Sequence, residues 1–233
     1  MPEPVTYRLD DGVAVITLDD GKANAISHDT LRAVHEALDR AESDARSVVI
    51  TGRQGKFSAG FDLATMTEST ESMRELVTAG AQMLMRLYGF GLPTVAACNG
   101  HALAAGALVL LSCDRRIGAE GPAKIGLNEV AIGMALPIFA VELARDRLQP
   151  AQLTSALMAA RIYDPAGAVE AGYLDMVVPE FDLLTTALAE ARALGELRTG
   201  AYARTKSTTR GGVIERILAT LDDDMSSMTG PAS

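Results

Sequence analysis

Between Leu87 and Cys113 the chain carries no charged side chain unless His101 is protonated, and a stretch of this length either crosses a bilayer or fills the interior of a folded domain. Gly89, Gly91, Pro93, Asn99 and Gly100 decide between the two. They break the stretch into a loop, a short strand and a helix, whose polar backbone would have to be satisfied inside lipid. Burial in a protein core is therefore expected. The chain has 233 residues, 48% hydrophobic and 22% charged, enough to enclose such a core without disulfides or a structural metal. The length suits one large domain, or one domain with a small appendage. Only Cys98 and Cys113 are present, too few and too irregularly placed for a disulfide framework or a zinc site, so both are expected as reduced core residues. Lys plus Arg number 21 against 30 Asp plus Glu, a formal charge of −9 with no basic block, the opposite of what a duplex nucleic-acid binder requires. The first residues lack a basic region followed by an apolar run, so no export signal is expected and the expected place is the cytoplasm.

The sequence around this core segment alternates strand pairs with helices. Val5–Leu9 and Val13–Leu18 flank Asp10-Asp11-Gly12, a hairpin signal, and the second run is apolar on both faces. Ser27 is the expected N-cap of a helix to about Ser43, with Leu31, Val34, Leu38 and Ala41 on one face. A strand follows at 46–51, then a short apolar turn region at Phe57–Leu63 and a helix from Thr70 to about Tyr88. Next come a strand at Thr94–Cys98, a buried helix at Gly106–Leu111, and strands at Arg115–Ile117 and Ala123–Ile125. Beyond Pro137 the pattern is helical almost to the end, with Pro150, Pro165 and Pro179 as starts or interruptions. The class is α/β, without the long regular alternation of a doubly wound sheet; the alternative is a coil of short ββα turns. No G-x-G-x-x-G follows a strand and no G-x-x-x-x-G-K-[ST] occurs, so nicotinamide and nucleoside-triphosphate chemistry lose support.

Three stretches carry candidate chemistry. In Lys56-Phe-Ser-Ala-Gly-Phe-Asp-Leu63, Gly60 permits a bend that leaves the Phe61 N–H free to face a ligand oxygen, although an ordinary strand-to-helix turn has the same composition. In Asn99-Gly-His-Ala-Leu-Ala-Ala-Gly-Ala-Leu108, small residues precede an apolar helix, and Ala105 N–H is the natural donor at its N-terminus. The bland alternative is that Ala104, Ala105 and Ala107 are small only for helix packing. His101, beside Gly100, fits a structural role better than that of a base. In Lys124-Ile-Gly-Leu-Asn-Glu-Val-Ala-Ile-Gly133, Glu129 is the only charge beyond Lys124; burial among Leu127, Val130 and Ile132 would raise its pKa and make it a usable base near neutral pH. A carboxylate at a loop or helix N-terminus is the competing account. Two backbone donors and one apolar-seated carboxylate suit enolate chemistry.

In this order and at these separations, the three stretches resemble the enoyl-CoA hydratase/isomerase (crotonase) superfamily, from about Tyr7 to Lys206 and including Lys22-Ala-Asn-Ala-Ile26. Phe57–Leu63 and Ile125-Gly-Leu-Asn-Glu129 are most similar to its mitochondrial-type Δ3,Δ2-enoyl-CoA isomerases. The resemblance implies a crotonase-like spiral of ββα units with a C-terminal helical segment. It also implies an acyl-CoA substrate and an oxyanion hole whose N–H donors fall on Phe61 and Ala105; the second position is usually glycine, so Ala105 is a departure. By the same match the CoA passes Lys22, Ala23 and Ala25 and the backbone of Ala59, Gly60, Phe61, Asp62 and Leu63. Coenzyme A is part of the substrate; no separate cofactor and no metal are implied.

Family hydratases hold water between two glutamates. The first of these positions is Leu108 here; the second matches Glu129, allowing one extra residue between Asp114 and Gly126. Losing one of two cooperating groups costs on the order of 10²–10⁴-fold in hydration. An isomerase needs one, so the resemblance implies Glu129 as the base, with Leu108 excluding water and Glu68 or Glu71 as weaker alternatives. A hydratase drawing an atypical acid from Asp62 or Glu120, and a non-catalytic acyl-CoA-binding homologue, are the competing functions. Trimers or hexamers are implied, with C-terminal helices covering neighbouring sites. Residues 1–190 are assigned to the spiral core with the acyl-CoA site and 191–233 to a helical assembly segment. In that segment Gly211-Gly212 interrupts the pattern, Val213–Leu221 forms a final helix, and Asp222–Ser233 offers no face to pack and is expected to be mobile. With nine excess negative charges, capture of polyanionic CoA must rest on local Lys/Arg and N–H groups.

Overall fold

The doubly apolar second strand is explained by a sheet covered on both faces. In the computed structural model, which describes residues 3–228, β1 (Val5–Asp10) and β2 (Val13–Leu18) pair antiparallel through a turn at Asp11 (φ 48°) and Gly12 (φ 78°). Positive φ at both turn residues matches the strand twist of a two-residue hairpin. After β3 (Ala25–Ile26) comes α1 (His28–Asp44), capped by Ser27, whose side chain accepts the Thr30 N–H. The next elements are β4 (Ser47–Gly52), β5 (Gly55–Ser58), β6 (Gly60–Phe61), α2 (Leu63–Glu68) and α3 (Thr70–Tyr88). Then follow β7 (Thr94–Cys98), β8 (Gly100–Leu103), α4 (Ala105–Ser112), β9 (Arg115–Ala119), β10 (Ile125–Gly126) and α5 (Ile138–Arg147). Last are α6 (Pro165–Ala171), β11 (Met176–Val178), α7 (Leu183–Gly195) and α8 (Thr199–Ser227).

Each turn of the chain supplies one strand to a large sheet and the next to a small one. The large, six-stranded sheet runs β1-β2-β4-β7-β9-β11 and is parallel beyond the hairpin; the small one runs β10-β8-β5, also parallel. Thus β4 leads to β5, β7 to β8 and β9 to β10, which is a spiral of ββα units. On β2, Ala14, Ile16 and Leu18 join the main core under α1, α3 and α4, whereas Val13 and Val15 face Leu183, Ala187 and Ala191 of α7 across the sheet. Residue 190 lies inside α7.

The uncharged stretch supplies the end of α3, the loop before β7, β7, β8 and α4; all of α4 is buried. No helix among the described residues is long and apolar enough to cross a membrane. Cys98 and Cys113 are buried and free, and burial pushes both thiols up to about 12.

Several elements depart from expectation, among them the short strands β3, β5 and β6, which lie where a loop and a turn region were expected. β8 and α2 had no periodic signature, being four and six residues long. The region beyond Pro137 is not helical throughout, because Met176–Val178 forms an edge strand on β9, a pairing set by distant residues. The final helix is not confined to 213–221: α8 runs unbroken through Gly211 and Gly212 and continues through Asp222–Ser227, so the expected mobility is corrected there; 229–233 lie outside the described residues. Each helical glycine costs about 1 kcal/mol relative to alanine, which tertiary anchoring offsets. Buried Asp114 receives Lys206 Nζ at 2.6 Å, Arg210 Nη1 at 2.7 Å and Tyr202 Oη at 2.8 Å, all from α8. Along its length α8 packs on α3 and α5 of its own chain, with Asp224 accepting the Ile138 N–H.

Candidate active site

Backbone packing without intervening side chains places the N-terminus of α4 against the strands of the small sheet. A Cβ on Gly106 would stand 2.3 Å from the Ser58 carbonyl oxygen, and one on Gly100 2.0 Å from the Gly55 carbonyl carbon. Gly60 (φ 98°) brings the two candidate donors together, since a Cβ there would lie 2.9 Å from Ala104 Cβ and 3.4 Å from Ala105 N. The Asp62 N–H donates to Ile26 O at 3.1 Å on β3, so alternation along β6 turns the Phe61 N–H the other way. The Phe61 ring is pressed against Gly80 of α3, which holds its backbone in place. In α4, Ala107 and Leu108 both donate to Ala104 O, at 2.9 and 3.2 Å, and the Ala105 N–H has no acceptor inside the helix.

Phe61 borders a cleft of about 1150 Å³, with Ala105 next to its lining residue Ala104. The cleft wall includes Lys22, Ala23, Ala25, Ala59, Phe61, Asp62, Leu63, Leu108 and Glu129; Gly60 and Ala105 are buried behind it. The loop carrying Lys22 is held by two residues that the sequence did not single out. The Asp20 carboxylate accepts N–H groups from Lys22 (2.7 Å), Asn24 (2.8 Å) and Ala25 (2.9 Å). Burial works to raise its pKa, but these backbone donors hold the carboxyl below the ordinary range. Buried Asn24 (φ 56°) donates through Nδ2 to Leu18 O, Lys56 O and Phe57 O, at 2.8, 3.0 and 3.2 Å, tying the loop to β5.

Glu129 lies on the turn after β10, at the entrance of a short 3₁₀ segment. Burial pushes its carboxyl up to about 7, against the smaller opposing pull of the Glu129 and Asn128 backbone N–H groups. Its Oε2 is sealed from solvent and has no hydrogen-bond partner among the described residues. Of the other wall carboxylates, Glu3 is exposed and three are engaged elsewhere. Asp20 holds its loop, Asp62 caps α2 by accepting the Thr65 N–H and hydroxyl at 3.0 and 2.9 Å, and exposed Asp29 pairs with Arg32 at 2.8 Å. Leu108, 1% exposed, supplies only hydrocarbon to the same wall. His101 Nδ1 accepts the Lys124 N–H at 2.9 Å, a strand-bracing role outside the cleft. Glu68, Glu71 and Glu120 are exposed and do not border it. Sequence reasoning missed Asn128, whose buried Oδ1 also lacks a partner, and the apolar wall of Met66, Val77, Met134, Phe139 and Met228. Only the adjacency of Asn128 to Glu129 could have signalled the former; the latter converge from four separate segments.

A ββα spiral with this cleft at the N-terminus of α4 is the crotonase fold. Residues 8–226 match the model of the enoyl-CoA hydratase/isomerase family, and the chain belongs to that family. It is similar to an enoyl-CoA hydratase/isomerase family protein from Pseudomonas syringae, with 44% identity, TM-score 0.95, and coverage of 97% of this chain and 98% of that one. Human mitochondrial delta3-delta2-enoyl-CoA isomerase superposes with TM-score 0.92 at 32% identity, over 96% of this chain and 89% of that one. A putative enoyl-CoA hydratase from Thermus thermophilus is 37% identical over 191 residues, 79% of this chain and 73% of that protein.

Proposed function

We propose that the chain is a Δ3,Δ2-enoyl-CoA isomerase with Glu129 as its base. The observation that carries this reading is a Glu129 carboxyl with one oxygen sealed from solvent and without a partner among the described residues, in a cleft where the other acid position is Leu108. The thioester carbonyl of a 3-enoyl-CoA would accept hydrogen bonds from the Phe61 and Ala105 N–H groups, forming the oxyanion hole. Glu129 removes a proton from C2, the electrons shift through a dienolate held by those donors, and the carboxyl returns the proton to C4. The double bond ends between C2 and C3 with no net gain or loss of atoms. A carboxyl titrating near 7 suits this double duty, because it accepts and releases a proton with little bias at neutral pH. Leu108 deprives a competing water of the partner it needs for addition.

Lys22 and the loop around it are the CoA-facing part of the same reading, with no further cofactor. Hydration through Asp62 or Glu120 has less support, since the first is tied to Thr65 and the second is exposed outside the cleft. Assembly into trimers or hexamers belongs to the same proposal; Val130, Ile132 and Met158 leave apolar surface exposed, as an interface requires. Separate incubations with 3-enoyl-CoA and 2-enoyl-CoA test the assignment. Isomerised product from the first without hydration of the second is expected, and efficient hydration of the second would overturn it.

A further inference from the structure

Among the described residues of the cleft wall, Ala104 is the one non-glycine whose backbone lies at a positive φ: φ 50°, ψ −125°. Residues with a Cβ rarely adopt such torsions, and an observed outlier of this kind at a site points to a functional constraint. Three hydrogen bonds hold it there. Its N–H donates to Gly126 O at 3.0 Å, and its carbonyl accepts from Ala107 and Leu108. With both backbone polar groups engaged, the methyl is what Ala104 presents to the cleft. That methyl sits beside Gly60, at the seam between the two candidate donors, since a Cβ on Gly60 would meet it at 2.9 Å and Ala105 N at 3.4 Å. Glycine would hold the same torsions without strain and leave the seam open. Alanine therefore adds hydrocarbon next to the place where a thioester carbonyl would be bound.

We infer that the Ala104 methyl is a specificity determinant that restricts the acyl group to chains unbranched at C2. The inference rests on the acyl-CoA reading above. With the thioester oxygen between the Phe61 and Ala105 N–H groups, C2 is one bond from the carbonyl carbon. A substituent on C2 then competes for the space that the Ala104 methyl fills. One added methyl in a closely fitted apolar site changes affinity by about 10–200-fold.

The test is calorimetric titration of the wild-type protein and Ala104→Gly with butanoyl-CoA and 2-methylbutanoyl-CoA, saturated thioesters that cannot isomerise. Wild type should prefer the straight chain by about tenfold or more, and Ala104→Gly should shrink that ratio by about tenfold. Ala104→Gly removes strain, so it is expected to fold, and a thermal melt checks this. A wild-type preference below about threefold, or a ratio unchanged in the variant, overturns the inference while leaving the acyl-CoA reading intact. Absence of binding by either protein to either thioester overturns the acyl-CoA reading itself.

Discussion

Glu129 and Asp114 are both acidic side chains taken out of water, and they behave in opposite ways. For each, burial is the largest influence and acts to raise the pKa. Asp114 meets Lys206, Arg210, Tyr202 and the Thr94 N–H, and the two cations, Lys206 foremost, hold its carboxyl below the ordinary carboxylate range. Glu129 has no cation beside it and one oxygen with no partner, so burial prevails and the group titrates near neutrality. Burial makes a carboxylate costly; its partners decide whether the cost is offset for architecture or left available for proton transfer.

The largest effect should come from removing the reactive member. Glu129→Gln preserves shape and is expected to lower kcat for 3-enoyl-CoA isomerisation by about 10³-fold, within the range for loss of a general base; near-wild-type turnover would end its assignment as base. Removing the architectural member should instead affect folding. Asp114→Ala leaves Lys206 and Arg210 buried without a counter-charge, a change that costs about 3–5 kcal/mol, measurable as a shifted urea midpoint. A variant as stable as wild type would show that α8 is held by its apolar face alone.

The pH dependences should differ in sign. The Glu129 carboxyl holds its proton more tightly when folded, about 7 against 4.5 for an unburied glutamate, so stability falls as pH rises through that window. Glu129→Gln cannot ionise, and its stability relative to wild type should improve by about 2–3 kcal/mol between pH 5 and pH 8. Asp114 is lowered, so its contribution is present at neutral pH and is lost as pH falls through the carboxylate range to its folded value. On the proposed assignment of Glu129 as base, 3-enoyl-CoA isomerisation should rise with pH up to about 7 and then level, as the carboxyl loses its proton. A smaller effect is expected at Gly60, where φ is 98° and a Cβ would press on Ala104. Gly60→Ala should cost about 1–3 kcal/mol in stability, with a fall in kcat but little change in KM for the straight-chain substrate.

The candidate site was legible where chemistry coincides with local sequence. Gly60, Phe61, Ala105 and Glu129 each lie in a short stretch whose composition suggests a turn, a helix start or an apolar carboxylate, whereas Leu108 drew notice only through the family resemblance. Strands and helices with clear periodicity, such as Val13–Leu18 and Thr70–Tyr88, were equally readable. What escaped is what depends on distant partners. Asn24 braces the Lys22 loop through carbonyls on β2 and β5, β11 exists because β9 offers it an edge, and α8 passes two glycines because Asp114 anchors it.

Sequence alone determined the inventory: an uncharged segment that had to be core, short strands apolar on two faces, a hairpin, and one carboxylate in apolar company. Hydrophobic periodicity and turn chemistry are properties of neighbouring residues, so they can be read along the chain. Only the tertiary structure decided that one oxygen of the Glu129 carboxyl lacks a partner among the described residues while the Asp114 carboxyl has several, and that the Ala104 methyl sits beside Gly60 and the Ala105 N–H. Electrostatic environment and close packing are set by groups that meet across the fold, and their effect depends on distances that the linear order of residues does not contain.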